Sequence, residues 1–391
     1  MVNRFSFSTI PKIIFGPGKL SELSSIAGRN ADRILLVTGS TSHRNNIRLL
    51  DQVAALENMG KKVYRTYINQ EPTVPMIDQA VSDLRDQKID LAVAVGGGSA
   101  LDAGKSLSAM LPVTGTIADY LEGAVNFIPH PGTCIPFIAV PTTAGTGSEA
   151  TKNAVISEIG ISGFKRSLRH DNFMPKVALV DPELSQTCPK AVTACSGMDA
   201  LTQLLESFVS VQANPLSDAF AVSGLKHLAV SLERAFDDGY DIMARSGMSY
   251  AALCSGVCLA NAGLGTVHGF ASSVGGRYNI PHGLICGTLL ATVTEKTIGK
   301  LRTMDEDSDA IGKYAEAGQI LHNSNNRSTE FYLDFLIDEL QRLTAKFGIP
   351  KLSQFGFDES EVTIIAKKTS CKNNPVQQTV EELIEILEDR V

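Results

Sequence analysis

No apolar run in the chain approaches the roughly 18–20 residues of a membrane-spanning helix. The first residues, MVNRFSFSTIPKIIFG, lack the apolar core of a signal peptide. There is no basic stripe and no acidic tail. The 35 Lys and Arg and 42 Asp and Glu are scattered and leave a net charge of −7, which offers a nucleic-acid backbone nothing to grip. The 7 cysteines are odd in number and thinly spread, which reads as reduced thiols in a cytoplasm rather than a disulfide framework. No internal repeat and no low-complexity segment is present. The expectation is a cytoplasmic protein whose partners are neither nucleic acid nor membrane.

What is present is a chain of 391 residues, 43% hydrophobic, enough for two domains with cores of their own. The first half alternates strand and helix signals. RILLVTGS (33–40), KKVYRTYI (61–68), DLAVAVGGGS (90–99) and TCIPFIAVPTT (133–143) read as strands, with helices over 44–58 and 74–87. Such alternation predicts βαβ units: a Rossmann-like α/β domain with a mostly parallel sheet. After DPELSQTCPK (181–190) strand signals fade. Helical periodicity covers 191–210, 215–235, 241–262, 282–298, 307–321, 328–346 and 378–389. The expected division is an α/β dinucleotide-binding domain over 1–187 and an all-helical domain over 188–391, with a ligand cleft between them.

DLAVAVGGGSALDAGKS (90–106) is a strand, a glycine turn and a helix. Its first helical amides, backed by the helix dipole, make a phosphate cradle at Gly97, Gly98 and Ser99. Ser99 is expected to cap the helix, with Asp102 three residues on as a capping box. Leu101 stands where the third glycine of the usual dinucleotide fingerprint would be, and the P-loop lysine spacing is missing. VPTTAGTGSEATKN (140–153) adds a second glycine-rich loop, with Thr142 and Thr143 among its hydroxyls, that could close over the same nucleotide.

In GMDALTQLLESF (197–208), Asp199 and Gln203 share one face of a mostly apolar helix. Two histidines stand out further on. His268 and His282 each begin a helical segment, separated by Gly275, Gly276 and Pro281, so one straight helix cannot carry both. Asp199, His268 and His282 make a two-histidine, one-carboxylate set of the kind that binds Fe²⁺ or Zn²⁺. Each histidine taken singly is as well explained as a hydrogen-bonded core residue, the reading given to His43, His130, His170, His227 and His322. Cys254 and Cys258 share a helical face but read as small core residues rather than metal ligands.

In this order, GGGSALDAGKS, VPTTAGTGSE, DPEL, GMDAL, the His268 segment and the PHG at 281–283 resemble the iron-containing (group III) alcohol dehydrogenase family. KNNPVQQTVEEL near the C-terminus resembles its closing helix, so the resemblance covers essentially the whole chain. It implies NAD(P)(H) in the first domain and, in the second, a divalent metal held by one Asp and three His. On matching positions the ligands, and with them the catalytic centre, are Asp199, His268 and His282. The fourth family ligand falls on Gln203. That leaves three readings open: Gln203 as a weak fourth ligand or a partner to the ligands, a different or loosely held metal, or a metal-free site. Ser272 stands where many members carry a second histidine near the substrate, which removes that proton relay.

The resemblance further implies that Lys165 lies near the nicotinamide ribose and that Asn153 and Leu264 border the substrate pocket. Lys152 would reach an anionic aldehyde only if Asn153 turned away, since strand neighbours face opposite sides. Where NAD-preferring relatives often have Asp, this chain has Gly39, followed by Ser40, Thr41 and Ser42. A 2′-phosphate would meet donors there rather than a carboxylate, so NADP(H) is expected over NAD(H). The implied reaction is hydride transfer between nicotinamide C4 and a small alcohol or aldehyde, in a homo-oligomer by family analogy, commonly a dimer. The competing readings are a dehydroquinate-synthase-type lyase, which shares the architecture and uses NAD transiently, and a degenerate member that binds nucleotide without turnover.

Overall fold

The structure is a computed structural model and describes residues 4–29, 31–39, 46–304 and 308–391. Among the described residues there are eight strands, most of them aliphatic and β-branched runs: β1 (Lys12–Phe15), β2 (Arg33–Gly39), β3 (Lys62–Ile68), β4 (Leu91–Gly96), β5 (Phe137–Pro141), β6 (Asn153–Glu158), β7 (Phe164–Arg169) and β8 (Val177–Val180). Six of them make an all-parallel sheet in the order β1-β8-β5-β4-β2-β3. Every residue of β4 is buried, as a strand covered on both faces requires. The helices α1 (Leu23–Gly28), α2 (Ile47–Asn58), α3 (Val74–Leu84) and α4 (Gly98–Met110) alternate with these strands. Asn46 and Thr73 cap α2 and α3 by accepting the Leu49 and Met76 N–H groups. β6 and β7 form a separate antiparallel hairpin, which packs on a later helix.

The chain reverses its direction of travel across the sheet between β2 and β4. Thr38 pairs with Val95, so the carboxyl ends of these strands, Gly39 and Gly96, lie side by side. In open parallel sheets the crevice at such a switch point is where ligands bind. The glycine-rich turn sits at that spot.

After Val180 the described residues contain helices and no further strand: α5 (Lys190–Val209), α6 (Pro215–Asp237), α7 (Ile242–Ala262), α8 (Thr266–Arg277), α9 (His282–Met304), α10 (Asp309–His322), α11 (Thr329–Lys346), α12 (Val362–Lys368) and α13 (Val380–Asp389). Their apolar faces make one continuous core running from Ala194 to Leu387. No single helix among the described residues is long and apolar enough to cross a membrane. α7 and α8 meet at 95°, and that bend aims the start of α8 back at α5.

Candidate active site

Three helices bring the predicted donors together. Asp199 lies mid-way along α5 and is 1% exposed. His268 is in the first turn of α8, and His282 is the first residue of α9. The His268 and His282 Nε2 atoms lie 3.3 and 3.6 Å from Asp199 Oδ1. The approach of α9 to α5 leaves no room for a side chain at Gly283, where a Cβ would fall 2.5 Å from the Cys195 carbonyl oxygen. A fourth donor joins them. Cys286, one turn beyond His282, places its Sγ 3.8 Å from both Nε2 atoms. One ligand atom from each of Asp199, His268, His282 and Cys286 lies within 4.8 Å of every other.

One donor atom of the set stays unsatisfied. Asp199 Oδ1 is buried without a hydrogen-bond partner, although the two imidazole nitrogens stand 3.3 and 3.6 Å away. A buried unpaired carboxylate oxygen among imidazole nitrogens is costly unless a cation occupies the centre. The donor types suit Fe²⁺ or Zn²⁺, so the residues present fit a divalent metal.

Glu206 fixes His268 from the other side. Its Oε2 lies 2.7 Å from His268 Nδ1, and its Oε1 accepts the Val267 N–H at 2.6 Å. An Nδ1–H held on Glu206 leaves the Nε2 lone pair facing the donor cluster. Burial pushes the Asp199 carboxyl up, but His282 and His268 more than offset it and the group sits below its usual value. Burial lowers His268, yet the Cys286 sulfur, Asp199 and Glu206 raise it well above the ordinary imidazole value. Burial takes His282 down to about 4, against the pull of Asp199, and the Cys286 thiol up to about 12.

The second glycine-rich loop reaches the donor helix α5 through Gln203. Its Nε2 donates to the Thr146 carbonyl at 3.2 Å, while its Oε1 is buried with no partner. Thr146 in turn covers the glycine turn: a Cβ on Gly98 would meet its methyl at 2.9 Å, and one on Gly97 would meet Thr143 Oγ1 at 3.3 Å. The Thr142 N–H donates to the Gly96 carbonyl. The two loops therefore pack against one another.

Some expectations need correction. Ser99 does not cap α4. The cap position is Gly97 in extended backbone, without a side-chain bond, so the first amides stay free. Asp102 forms no capping box; it accepts from Ser148 Oγ at 2.6 Å and from the Val155 N–H at 3.0 Å, tying α4 to the second loop and to β6. Lys165, by contrast, keeps its expected place open. Its side chain is 4% exposed, pairs with Glu71 at 2.7 Å and packs against Gly275. Lys152 faces away, bonded to Ser8 and Asp171, and is not placed to meet an anionic substrate.

Asn153 begins β6 with its Oδ1 buried and unpaired, and Leu264 is half-buried in the bend before α8. Ser272 is exposed and donates to the His268 carbonyl, so its hydroxyl is occupied by its own helix. Gly39 ends β2 at the crevice; Ser40, Thr41, Ser42 and His43 lie outside the described residues. Cys254 and Cys258 are buried core thiols. A groove of about 770 Å³ lined by Lys296, Lys300 and Arg302 lies away from this centre, and its cations are already paired with Glu385, Glu382 and Asp334.

Sequence reasoning missed three residues here. Cys286 carried a signal, since it follows His282 at helical spacing. Glu206 did too, lying on the face of α5 shared by Asp199 and Gln203. Lys105 did not: it is 1% exposed, and its ammonium donates to the Ser148 carbonyl and hydroxyl, Thr151 Oγ1 and the Asn153 carbonyl.

The structure joins a parallel-sheet domain with a glycine-rich turn to a helical domain that carries a cluster of metal-donor side chains. The family model for iron-containing alcohol dehydrogenase matches residues 11–182, and the C-terminal model of the Fe-containing alcohol dehydrogenase family matches residues 193–391. The chain belongs to the iron-containing alcohol dehydrogenase family. It is 34% identical to long-chain-alcohol dehydrogenase 1 of Geobacillus thermodenitrificans, over 92% of this chain and 90% of that one. It is 30% identical to the NAD-dependent methanol dehydrogenase of Bacillus methanolicus, over 98% of this chain and 99% of that one. Alcohol dehydrogenase from Oenococcus oeni superposes with a TM-score of 0.87 at 28% identity, over 99% of this chain and 100% of that one. The chain is accordingly an oxidoreductase that acts on CH–OH groups with a nicotinamide cofactor, rather than a lyase of similar architecture.

Proposed function

We propose that this chain interconverts a small aldehyde and its alcohol, with NADP(H) preferred over NAD(H), in a crevice between an N-terminal domain (1–187) and a helical domain (188–391). The observation that carries the reading is the unpaired, buried Asp199 Oδ1 beside two histidine nitrogens, one hydrogen bond (Gln203 to Thr146) from the glycine cradle. The free amides of Gly98 and Ser99 at the start of α4 hold the pyrophosphate, and Thr142 and Thr143 border the cofactor. Asp199, His268 and His282 hold the divalent ion, Fe²⁺ or Zn²⁺. When bound, the ion supplies a Lewis acid for the negative charge that develops on the substrate oxygen. Glu206 keeps a proton on His268 Nδ1 and so keeps Nε2 aimed inward. Lys165, fixed by Glu71, lies on the nicotinamide side, with Asn153 and Leu264 toward the substrate.

Gly39 supports the NADP(H) preference, since no carboxylate at that position repels a 2′-phosphate. The free thiols are consistent with a cytoplasmic enzyme, and a dimer follows from family analogy. Purified protein supplied with Fe²⁺ or Zn²⁺ and a panel of small aldehydes should oxidise NADPH, with a higher kcat/KM than for NADH. A strong NADH preference would overturn the cofactor reading, and no turnover with any pairing would leave a nucleotide-binding protein without activity.

A further inference from the structure

We propose that the Cys286 thiolate is a ligand of the ion at this centre, filling the place of the imidazole that the family pattern puts at position 203. The inference rests on the reading that Asp199, His268 and His282 hold a divalent metal. Cys286 is fully buried, sits one helical turn from His282, and meets both ligand imidazoles at Sγ–Nε2 distances of 3.8 Å. Those distances are close to the edges of a coordination tetrahedron. With zinc–sulfur and zinc–nitrogen bonds of about 2.3 and 2.05 Å, a sulfur–nitrogen edge is about 3.6 Å and a nitrogen–oxygen edge about 3.3 Å. The observed nitrogen–oxygen separations are 3.3 and 3.6 Å.

The alternatives nearby are weaker donors or already bonded. Gln203 spends its amide N–H on Thr146, and its neutral carbonyl oxygen is a weaker donor than a thiolate for Zn²⁺ or Fe²⁺. Both Glu206 oxygens hold the start of α8. Ion binding breaks the S–H bond, sends its proton to buffer and forms the sulfur–metal bond. Two anionic ligands then face the ion, where one Asp and three neutral histidines would present one. Such a set favours Zn²⁺ or Fe²⁺ over Mg²⁺. Zinc sites can expand to five ligands, so the substrate oxygen is not shut out.

The test is Co²⁺ substitution of the purified full-length protein, read by absorption. Wild type should bind one Co²⁺ per chain and show an intense near-ultraviolet sulfur-to-cobalt charge-transfer band. Cys286→Ser should lose that band, with Co²⁺ affinity falling about tenfold or more. Cys195→Ser, a thiol on the neighbouring turn of α5, should keep it. Wild-type binding of Co²⁺ without the band, or a band that survives in Cys286→Ser, overturns the thiolate assignment while leaving the metal reading intact. Failure of wild type to bind Co²⁺ at all overturns both. Should Cys286→Ser not fold, zinc-edge X-ray absorption of the wild-type zinc protein decides the matter: a sulfur neighbour at about 2.3 Å supports the assignment, and only lighter neighbours sink it.

Discussion

Glu206 backs His268 behind the metal-donor centre, with Oε2 2.7 Å from Nδ1. The same carboxylate also receives the Val267 N–H, so one acid sets both the imidazole and the helix that carries it. Glu206→Gln keeps the shape but presents an amide N–H group to one of these donors. The expected result is a 10- to 100-fold loss of metal affinity, by chelator competition, with the fold retained. Unchanged affinity would mean that Glu206 only caps α8.

Gln203 has a different task. Its hydrogen bond to Thr146 joins the donor helix to the loop that covers the glycine turn. Gln203→Leu removes a bond worth about 1 kcal/mol, so KM for the nicotinamide cofactor should rise roughly fivefold. Metal content should stay the same. Loss of metal in this variant would place Gln203 among the ligands.

Gly39 ends β2 beside the cradle. Introducing a carboxylate there, Gly39→Asp, should repel the 2′-phosphate and accept from a ribose diol. The ratio of kcat/KM for NADPH over NADH should fall at least about tenfold. An unchanged ratio would show that the preference is set elsewhere.

Glu149 offers a pH signature. It is 2% exposed, and burial pushes its carboxyl up to about 7 against the pull of its own backbone N–H and Lys105. The folded state thus holds this proton more tightly than the unfolded chain. The associated stability is fully present below the usual carboxyl value near 4.5 and is lost as pH rises through about 7. Its size is at most about 3 kcal/mol. Glu149→Gln should flatten the decline in Tm between pH 4.5 and 7. Parallel Tm–pH profiles for wild type and variant would contradict the assignment.

The sheet and helices were readable because their signals are local. DLAVAVGG is buried on both faces and reads as a central strand, and most of the long amphipathic helices fall within a few residues of their expected bounds, α9 running on to Met304 rather than stopping at 298. β1 and β8 are only four residues each, and β7 is FKRSLR, too charged to announce a strand. Asp199, His268 and His282 stood out because ionisable groups in small or apolar helical surroundings need a reason. Cys286 did not, since a cysteine in LICGTLL passes for a core residue until α8 is folded against it. Ser99 lies inside α4 rather than at its cap, because the helix starts one residue before it, after Gly97. Lys105 was hidden because its four acceptors come from a loop more than forty residues on.

Metal removal tests the central claim most directly. Protein stripped with a strong chelator should lose aldehyde-dependent NADPH oxidation, and one equivalent of Zn²⁺ or Fe²⁺ per chain should restore it, while Asp199→Ala should bind neither ion and stay inactive. Full turnover by metal-free protein, or by Asp199→Ala, would contradict the account.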